Sequence, residues 1–396
     1  MTDALRAYSA GDLGWYNGFS ADELSNKILA ATFLAASYLT EPICKVHELD
    51  WQLQVEDVLP PATSKMANLA RKFFLILGIV GYAVLAMFTA APAVALRYLA
   101  SNLQSKPYLY AKGESPAKKL SDHTFSLLSW NICCPAGGYS ISDGGVVPWG
   151  YRIDDIINKI CEKDADVNCL YETFDTRSAF YICEKLRGRG YTHFYYNIGP
   201  KTIGVSSGIF VASKYDIANP EFTPFPLDSL VGRTKFAAKG VFAFDLQSEG
   251  NSFARVFSTH LQHSEECTHP TNEEVEARKK QMEILIAKTE QVKDKCLVVT
   301  GDLNLDDDEY NASTWQYHFK KGDTYLDPQR TWGGDEFCAR LVKKRPSPPL
   351  NLDHTMVVAG TAYDISTSLV ETGYDRATYK QEALSDHAGL YSTITV

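Results

Sequence analysis

The stretch Cys296-Leu297-Val298-Val299-Thr300-Gly301-Asp302-Leu303-Asn304 decides how this chain folds. An apolar, β-branched run reads as a buried strand, and it stops abruptly at a carboxylate and an amide. A charge at the end of a buried strand is costly to desolvate unless it is paired, holds a metal, or faces a solvent-filled cleft. The same punctuation recurs on either side. Asn131 follows Phe125–Trp130, and Glu172 follows Val167–Tyr171. His260 and Gln262 close Arg255–Gln262, while Asp386 and His387 precede the final run Gly389–Val396. Five such ends on unrelated surfaces would be ordinary polar termini. Facing one cleft, they make a site.

Further β-rich runs fill the region: Thr124–Ile132, Ser207–Ala212, Lys239–Gln247, Ala254–Gln262 and Asn351–Val358. Helices are fewer. Ile153, Ile156, Ile157, Ile160 and Cys161 recur at helical spacing, as do Val275, Met282, Leu285 and Ile286. The second set follows a capping-box pattern, Thr271 with Glu274, after Pro270. Many strands and few helices without strict βαβ alternation predict a layered α/β or α+β domain. There is no internal repeat.

The whole chain has 396 residues, 45% of them hydrophobic and 22% charged, which excludes global disorder. Net charge is −9. Residues 1–120 carry 11 basic against 10 acidic side chains, so the remainder carries 28 against 38. That acidic balance argues against binding long polyanions. Nine cysteines are present, with no CxxC pair. The odd count and the apolar surroundings predict free thiols and a reducing compartment.

The first hundred residues read differently. Phe73–Leu96 is a charge-free stretch of 24 residues flanked by Arg71, Lys72 and Arg97. As a helix it measures about 36 Å, enough to cross a bilayer core of about 30 Å. The alternative is a buried helix of a globular domain. Ile28–Leu39 is too short to span, which leaves an interfacial, re-entrant or helix-packed segment. Basic residues on both flanks of 73–96 leave its orientation open. We expect a membrane-associated region over 1–100, a polar linker over 101–120, and a catalytic domain over 121–396.

In chain order, Ser129-Trp130-Asn131-Ile132, Leu170-Tyr171-Glu172, Thr259-His260-Leu261-Gln262, Gly301-Asp302-Leu303-Asn304, Leu352-Asp353-His354 and Ser385-Asp386-His387 resemble the endonuclease/exonuclease/phosphatase superfamily. Glu172-Thr173-Phe174-Asp175, Ser207–Tyr215, Lys239-Gly240-Val241, and Thr331-Trp332-Gly333 with Cys338 make the chain most similar to the neutral sphingomyelinases. The two apolar segments and Lys106–Tyr110 resemble the membrane-bound members.

The resemblance implies a four-layer αββα sandwich of two facing β-sheets with its site at one end. It implies a Mg²⁺-dependent phosphodiesterase, with Mn²⁺ as a substitute, that hydrolyses sphingomyelin to ceramide and phosphocholine. Glu172 would hold the metal with Asn131 beside it. Asp302 would orient or deprotonate the attacking water, and Asn304 would hydrogen-bond the phosphoryl oxygens. His260 and His387 would flank the phosphate. Asp353 would orient His387, Asp386 would support the cluster or a second metal position, and Lys239 would contact phosphate. Whether Asp302 or His387 is the base stays open. Two positions depart from the family pattern: Tyr171 replaces a Gln-like residue, and His354 replaces an aromatic one.

The implied partners are a sphingomyelin-type phospholipid and the bilayer, and no nucleic acid is expected. The competing readings are a relative acting on nucleic acid, on another phospholipid or on an inositol phosphate, and a non-catalytic membrane scaffold. The Trp-Cys-Asp-Arg motif of the inositol-phosphate phosphatases is absent, with Asn351-Leu352-Asp353 in its place. His263 and His269 lack the spacing of a zinc site. Asp306–Glu309 reads as a solvated loop, Lys343–Arg345 as an exposed one, and Tyr139–Trp149 as a site-edge loop or long turn.

Overall fold

A computed structural model describes residues 24–54, 64–135, 148–199, 205–293, 295–322, 331–333, 348–362, 364–376 and 381–396. Cys338, Lys343–Arg345 and positions 139–147 of the expected site-edge loop lie outside the described residues.

The helices in chain order are α1 (Leu24–Leu39), α2 (Glu41–Gln54), α3 (Lys65–Leu103), α4 (Ile153–Lys163), α5 (Thr176–Arg187), α6 (Asn272–Glu290) and α7 (Asp307–Asn311). The strands are β1 (Leu109–Lys112), β2 (Thr124–Asn131), β3 (Val167–Tyr171), β4 (His193–Tyr196), β5 (Phe210–Ser213), β6 (Asp216–Pro224), β7 (Gly240–Ser248), β8 (Asn251–His260), β9 (Cys296–Asp302), β10 (Phe319–Lys321), β11 (Asp353–Val358), β12 (Asp364–Val370), β13 (Gly373–Arg376), β14 (Gln381–Ala383) and β15 (Gly389–Thr395).

They form a seven-stranded sheet, β1-β4-β5-β3-β2-β15-β12, and a six-stranded sheet, β10-β11-β9-β8-β7-β6, with β13-β14 as a separate pair. The sheets face each other. Phe125, Leu127, Val167, Cys169 and Val211 of the first pack with Phe242, Phe244, Val256, Val298 and Val357 of the second. The outer face of the first sheet is covered by α4 and α5 through Ile153, Ile156, Ile160, Phe180 and Ile182. The outer face of the second packs Met282 and Leu285 of α6 on Val241, Phe257 and Val299. This is the expected αββα sandwich.

Most strand pairs are antiparallel. Each sheet also holds one parallel pair, β2 with β3 and β8 with β9. Asn131 stands opposite Tyr171 at the end of one pair, and His260 opposite Asp302 at the end of the other. Asn131 donates to Asp302 across the sheets at 2.9 Å, so the chain segments leaving these four strands emerge at one end of the sandwich. Gly301 permits the tight β8–β9 approach, because a Cβ there would strike the Thr259 carbonyl.

Several elements differ from expectation. The first sheet's strand near 207 begins at Phe210, because the hydroxyls of Ser206 and Ser207 accept from the N–H groups of Gly208 and Ile209 instead. Asp306–Glu309 is not a solvated loop. Asp306 caps α7 by accepting from Asp307 N, and Glu309 binds the buried guanidinium of Arg278. Within the expected linker, Leu109–Lys112 pairs with β4 as an edge strand. Leu109 and Ala111 are buried on one face, while Tyr108 and Tyr110 pack on Tyr195 on the other.

α3 contains the apolar segment 73–96 and extends beyond both of its ends. It is the one described helix long and apolar enough to cross a membrane, and its most apolar window has no buried residue. α1 and α2 both pack on α3. Leu29, Ala30, Phe33 and Leu34 of α1 join the same apolar cluster as α4 and α5.

Candidate functional site

Asp302, at the end of β9, is the centre of the cluster. Its Oδ2 accepts from Asn131 Nδ2 at 2.9 Å and lies 3.4 Å from His260 Nε2 and 3.8 Å from His387 Nε2. Its Oδ1 accepts from Asn304, through Nδ2 at 2.9 Å and the backbone N at 3.1 Å. The second Asn131 contact runs to Glu172 Oε1 at 3.1 Å. Asp353, which faces Asp302 across β11 and β9, sets its Oδ2 2.7 Å from His387 Nδ1. Strand ends spread from 131 to 387 are thus brought together.

Asn131, His260, Asp302, Asn304, Asp353, His387 and Lys239 are buried, and Glu172 and Asp386 are half-buried. Glu172 and Asn304 hold φ of 60° and 51°, left-handed conformations that a non-glycine residue adopts only when its surroundings fix it. Asp386 touches Ser385 Oγ at 3.4 Å, and its charge acts on His387. Lys239 lies under the fields of Asp302 and Glu172.

Burial dominates the electrostatics. It pushes the Asp302 carboxyl up and the Lys239 ammonium down, although each draws the other the opposite way. Burial also drives His260 well below the usual imidazole range, and the nearby Lys239 charge adds to this. His387 goes the other way. Burial opposes its charge, but the carboxylates of Asp353 and Asp302 outweigh burial and raise it well above that range. Their surroundings thus push the two imidazoles in opposite directions, His260 toward its neutral form and His387 toward its cationic form.

Metal-donor atoms of Glu172, His260 and Asp302 lie within 4.8 Å of one another, and so do those of Asp302, Asp353 and His387. His260 Nδ1 and Asp353 Oδ1 are buried without a hydrogen-bond partner. An oxygen-rich set with two carboxylates at its centre fits a hard divalent cation. Asn131 fits less directly. Its Oδ1 accepts from the Cys133 N–H at 3.1 Å, so its amide nitrogen, not its oxygen, faces the carboxylates. His263 binds Thr234 and His269 binds Thr268, and neither joins a metal-donor cluster among the described residues.

Other residues hold the cluster in roles that were not read from sequence. Ser385 Oγ donates to the Asn131 carbonyl at 2.6 Å, and the Trp130 indole donates to the His387 carbonyl at 2.9 Å. Thr331 Oγ1 accepts from the N–H groups of Leu352 and Asp353. Arg152, fully buried, donates to the carbonyls of Ile132, Cys133 and Leu384 and so ties the segment after Asn131 to the one before His387. A sequence signal for Arg152 existed. A cation at the N-terminus of a helix opposes the helix dipole, which calls for another reason to be there. The two departures also find roles. Tyr171 O–H bonds Ser258 and the Thr300 carbonyl between the sheets, and His354 stacks on Tyr310.

The sequence profile described as the Endonuclease/Exonuclease/phosphatase family matches residues 128–387. The curated proteins give no match. Among solved structures, beta toxin from Staphylococcus aureus with bound magnesium ions is 18% identical at a TM-score of 0.56, covering 68% of this chain and 98% of its own. Sphingomyelinase C from Streptomyces griseocarneus is 20% identical at 0.53, covering 68% and 99%. TDP2 from C. elegans is 18% identical at 0.51, covering 70% and 77%.

Proposed function

The chain belongs to the endonuclease/exonuclease/phosphatase family, and from that premise we propose that it is a membrane-tethered, Mg²⁺-dependent phosphodiesterase that hydrolyses sphingomyelin to ceramide and phosphocholine. The observation that carries the lipid reading is α3. A phosphoesterase-type cluster shares its chain with an exposed apolar helix of spanning length. A tether of that kind raises the effective concentration of a substrate confined to the bilayer. The acidic balance of residues 121–396 weighs against a polyanionic substrate. One neighbour of the same fold is a sphingomyelinase C, and another holds magnesium. The eight described cysteines are free, in keeping with a catalytic domain on a reducing side.

In this reading Glu172, with Asp302 and His260 close by, holds the ion, which when bound neutralises charge on the phosphoryl group. Asp302 orients water and takes its proton. The electrostatics favour that assignment over His387, whose ring Asp353 keeps protonated and suited to donate to the leaving alkoxide. Asn304 and Lys239 offer donors to the phosphoryl oxygens, a place where fixed donors lower the barrier most. His260 packs against this cluster, and Asp386 adds negative charge beside His387.

The test is a substrate panel with the full chain in detergent and Mg²⁺. Sphingomyelin, phosphatidylcholine, an inositol phosphate and abasic DNA are each assayed with and without chelator. Chelator-sensitive release of phosphocholine from sphingomyelin is expected. Nicking of DNA without sphingomyelin turnover would overturn the substrate assignment.

A further inference from the structure

Beyond residue 103, three large apolar side chains stand exposed among the described residues: Leu227 at 68%, Phe236 at 61% and Tyr317 at 79%. Tyr317 belongs to the far end of the sandwich, since Phe319 pairs with Val358, the end of β11 opposite Asp353. Leu227 and Phe236 belong to the near end. Both lie in the connection from β6 to β7, where Pro224 faces Gly240 and Val241 faces Thr259, the residue before His260. The connection closes on Lys239, in the candidate site.

This connection is firmly anchored. Phe225 and Leu230 are buried in the core under α6. Gln281 Nε2 donates to the Ser229 carbonyl at 2.6 Å. The Val231 N–H donates to Gln262 Oε1 at 2.8 Å, and Gln262 Nε2 donates to Thr234 Oγ1 at 2.9 Å. A segment pinned at so many points holds Leu227 and Phe236 in water with no intramolecular gain. Its charge differs from the acidic remainder. It carries Arg233, Lys235 and Lys239 against Asp228; Arg233 pairs with Glu265, and Asp228 lies 3.6 Å from Lys280.

We propose that the 225–239 connection is a bilayer-docking loop, with Leu227 and Phe236 entering the headgroup region beside the cleft. The proposal rests on the lipid-substrate reading and says how the cleft meets its substrate. A scissile lipid phosphate lies at headgroup depth, so the rim of the cleft must reach that depth. Two apolar side chains bury far less than the roughly 800 Å² per partner of a stable protein interface. They suffice to orient a domain that α3 already holds at the membrane.

The test uses the full chain in vesicles of phosphatidylcholine, sphingomyelin and phosphatidylserine. Leu227→Ser combined with Phe236→Ser should lower hydrolysis of vesicle sphingomyelin by about tenfold. Hydrolysis of a monomeric, short-chain, water-soluble sphingomyelin should be unchanged. Separately, Phe236→Trp should add emission that brominated acyl chains quench. Equal losses on both substrates, or no selective loss and no quenching, overturn the docking loop while leaving the substrate reading standing. Quenching with no turnover of either substrate supports the loop and sinks the substrate reading. A smaller particle for the double variant by light scattering, with vesicle turnover intact, assigns the surface to a second copy and overturns the proposal.

Discussion

Asp302 touches more of the candidate machinery than any neighbour, yet Asp353 gives the sharper test. Its carboxylate, 2.7 Å from His387 Nδ1, is the leading influence that raises the His387 imidazole against burial. If protonated His387 is the proton donor, activity is present below its pKa and fades as pH rises through it. Asp353→Asn removes the charge and keeps the shape. The alkaline limb of the kcat–pH profile should then move to lower pH, and kcat should fall by about 10- to 100-fold. An unmoved limb would take His387 out of that role. Glu172→Gln should lower the rate by orders of magnitude and demand more Mg²⁺ for half-maximal activity. Calorimetric titration of Mg²⁺ into the two proteins checks this without reference to turnover. The polar residues at strand ends were legible because each interrupts an apolar run. Ser385 and Thr331 stood inside family motifs and Arg152 at a helix start, but their bracing roles were not legible, because their hydrogen bonds go to backbone carbonyls and N–H groups that only the fold brings near.

Elements whose burial leaves a period in the sequence were legible as well. The capping box of α6 is present as read: Thr271 Oγ1 accepts from Glu274 N, and Glu274 accepts from Thr271 N. Thr271→Ala should cost about 1 kcal/mol of stability in urea unfolding and leave activity intact. β1 was hidden because half-buried tyrosines pack on one face while Leu109 and Ala111 are buried on the other, so no polar alternation marks it. α7 was hidden by its charge, since Glu309 and Asp307 are held by Arg278, Asn351 and Lys321 rather than by water. The contact of β11 with α7 carries its own pH signature. His354 stacks on Tyr310 with Nε2 2.8 Å from the Leu305 carbonyl, and burial drives it from the usual 6.5 down to about 3. Below pH 6.5 the unfolded chain takes this proton and the folded one does not. The stability contributed by neutral His354 is therefore complete above that pH and lost toward pH 3, at about 1.4 kcal/mol per unit. His354→Phe keeps the stack and should narrow the gap in melting temperature between pH 7 and pH 4. An unchanged gap would place the acid sensitivity elsewhere.

At the scale of the molecule, the N-terminal region and the catalytic sandwich share a core, which composition alone could not reveal. α1 buries Leu29, Phe33 and Leu34 in the cluster that holds Trp149, Ile153 and Phe180. Glu41 pairs with Arg177, which also binds Asp175, and Glu48 accepts from the Tyr151 hydroxyl at 2.5 Å. The apolar stretch 73–96 was legible by length, and packing of the short segment on it was one of three readings left open; the packing of α1 on the outer face of the first sheet was not legible, because nothing in a short apolar helix says which sheet it covers. We therefore propose that the catalytic domain begins near Lys106 and not at Ser121. A chain starting at Ser121 lacks β1, which removes buried Leu109 and Ala111, the Tyr108 and Tyr110 contacts with Tyr195, and the main-chain pairing with β4. Burial of Leu109 alone is worth about 2 kcal/mol, and the exposed edge of β4 adds an aggregation hazard. A chain starting at Lys106 keeps that strand. It loses α1–α3 and so uncovers Trp149 and Phe180, which lowers its stability below that of the full chain. Urea midpoints should rank the full chain first, the Lys106 start second and the Ser121 start last, with the last two separated by at least about 2 kcal/mol. Equal midpoints for the two truncated chains would return 101–120 to the status of a linker.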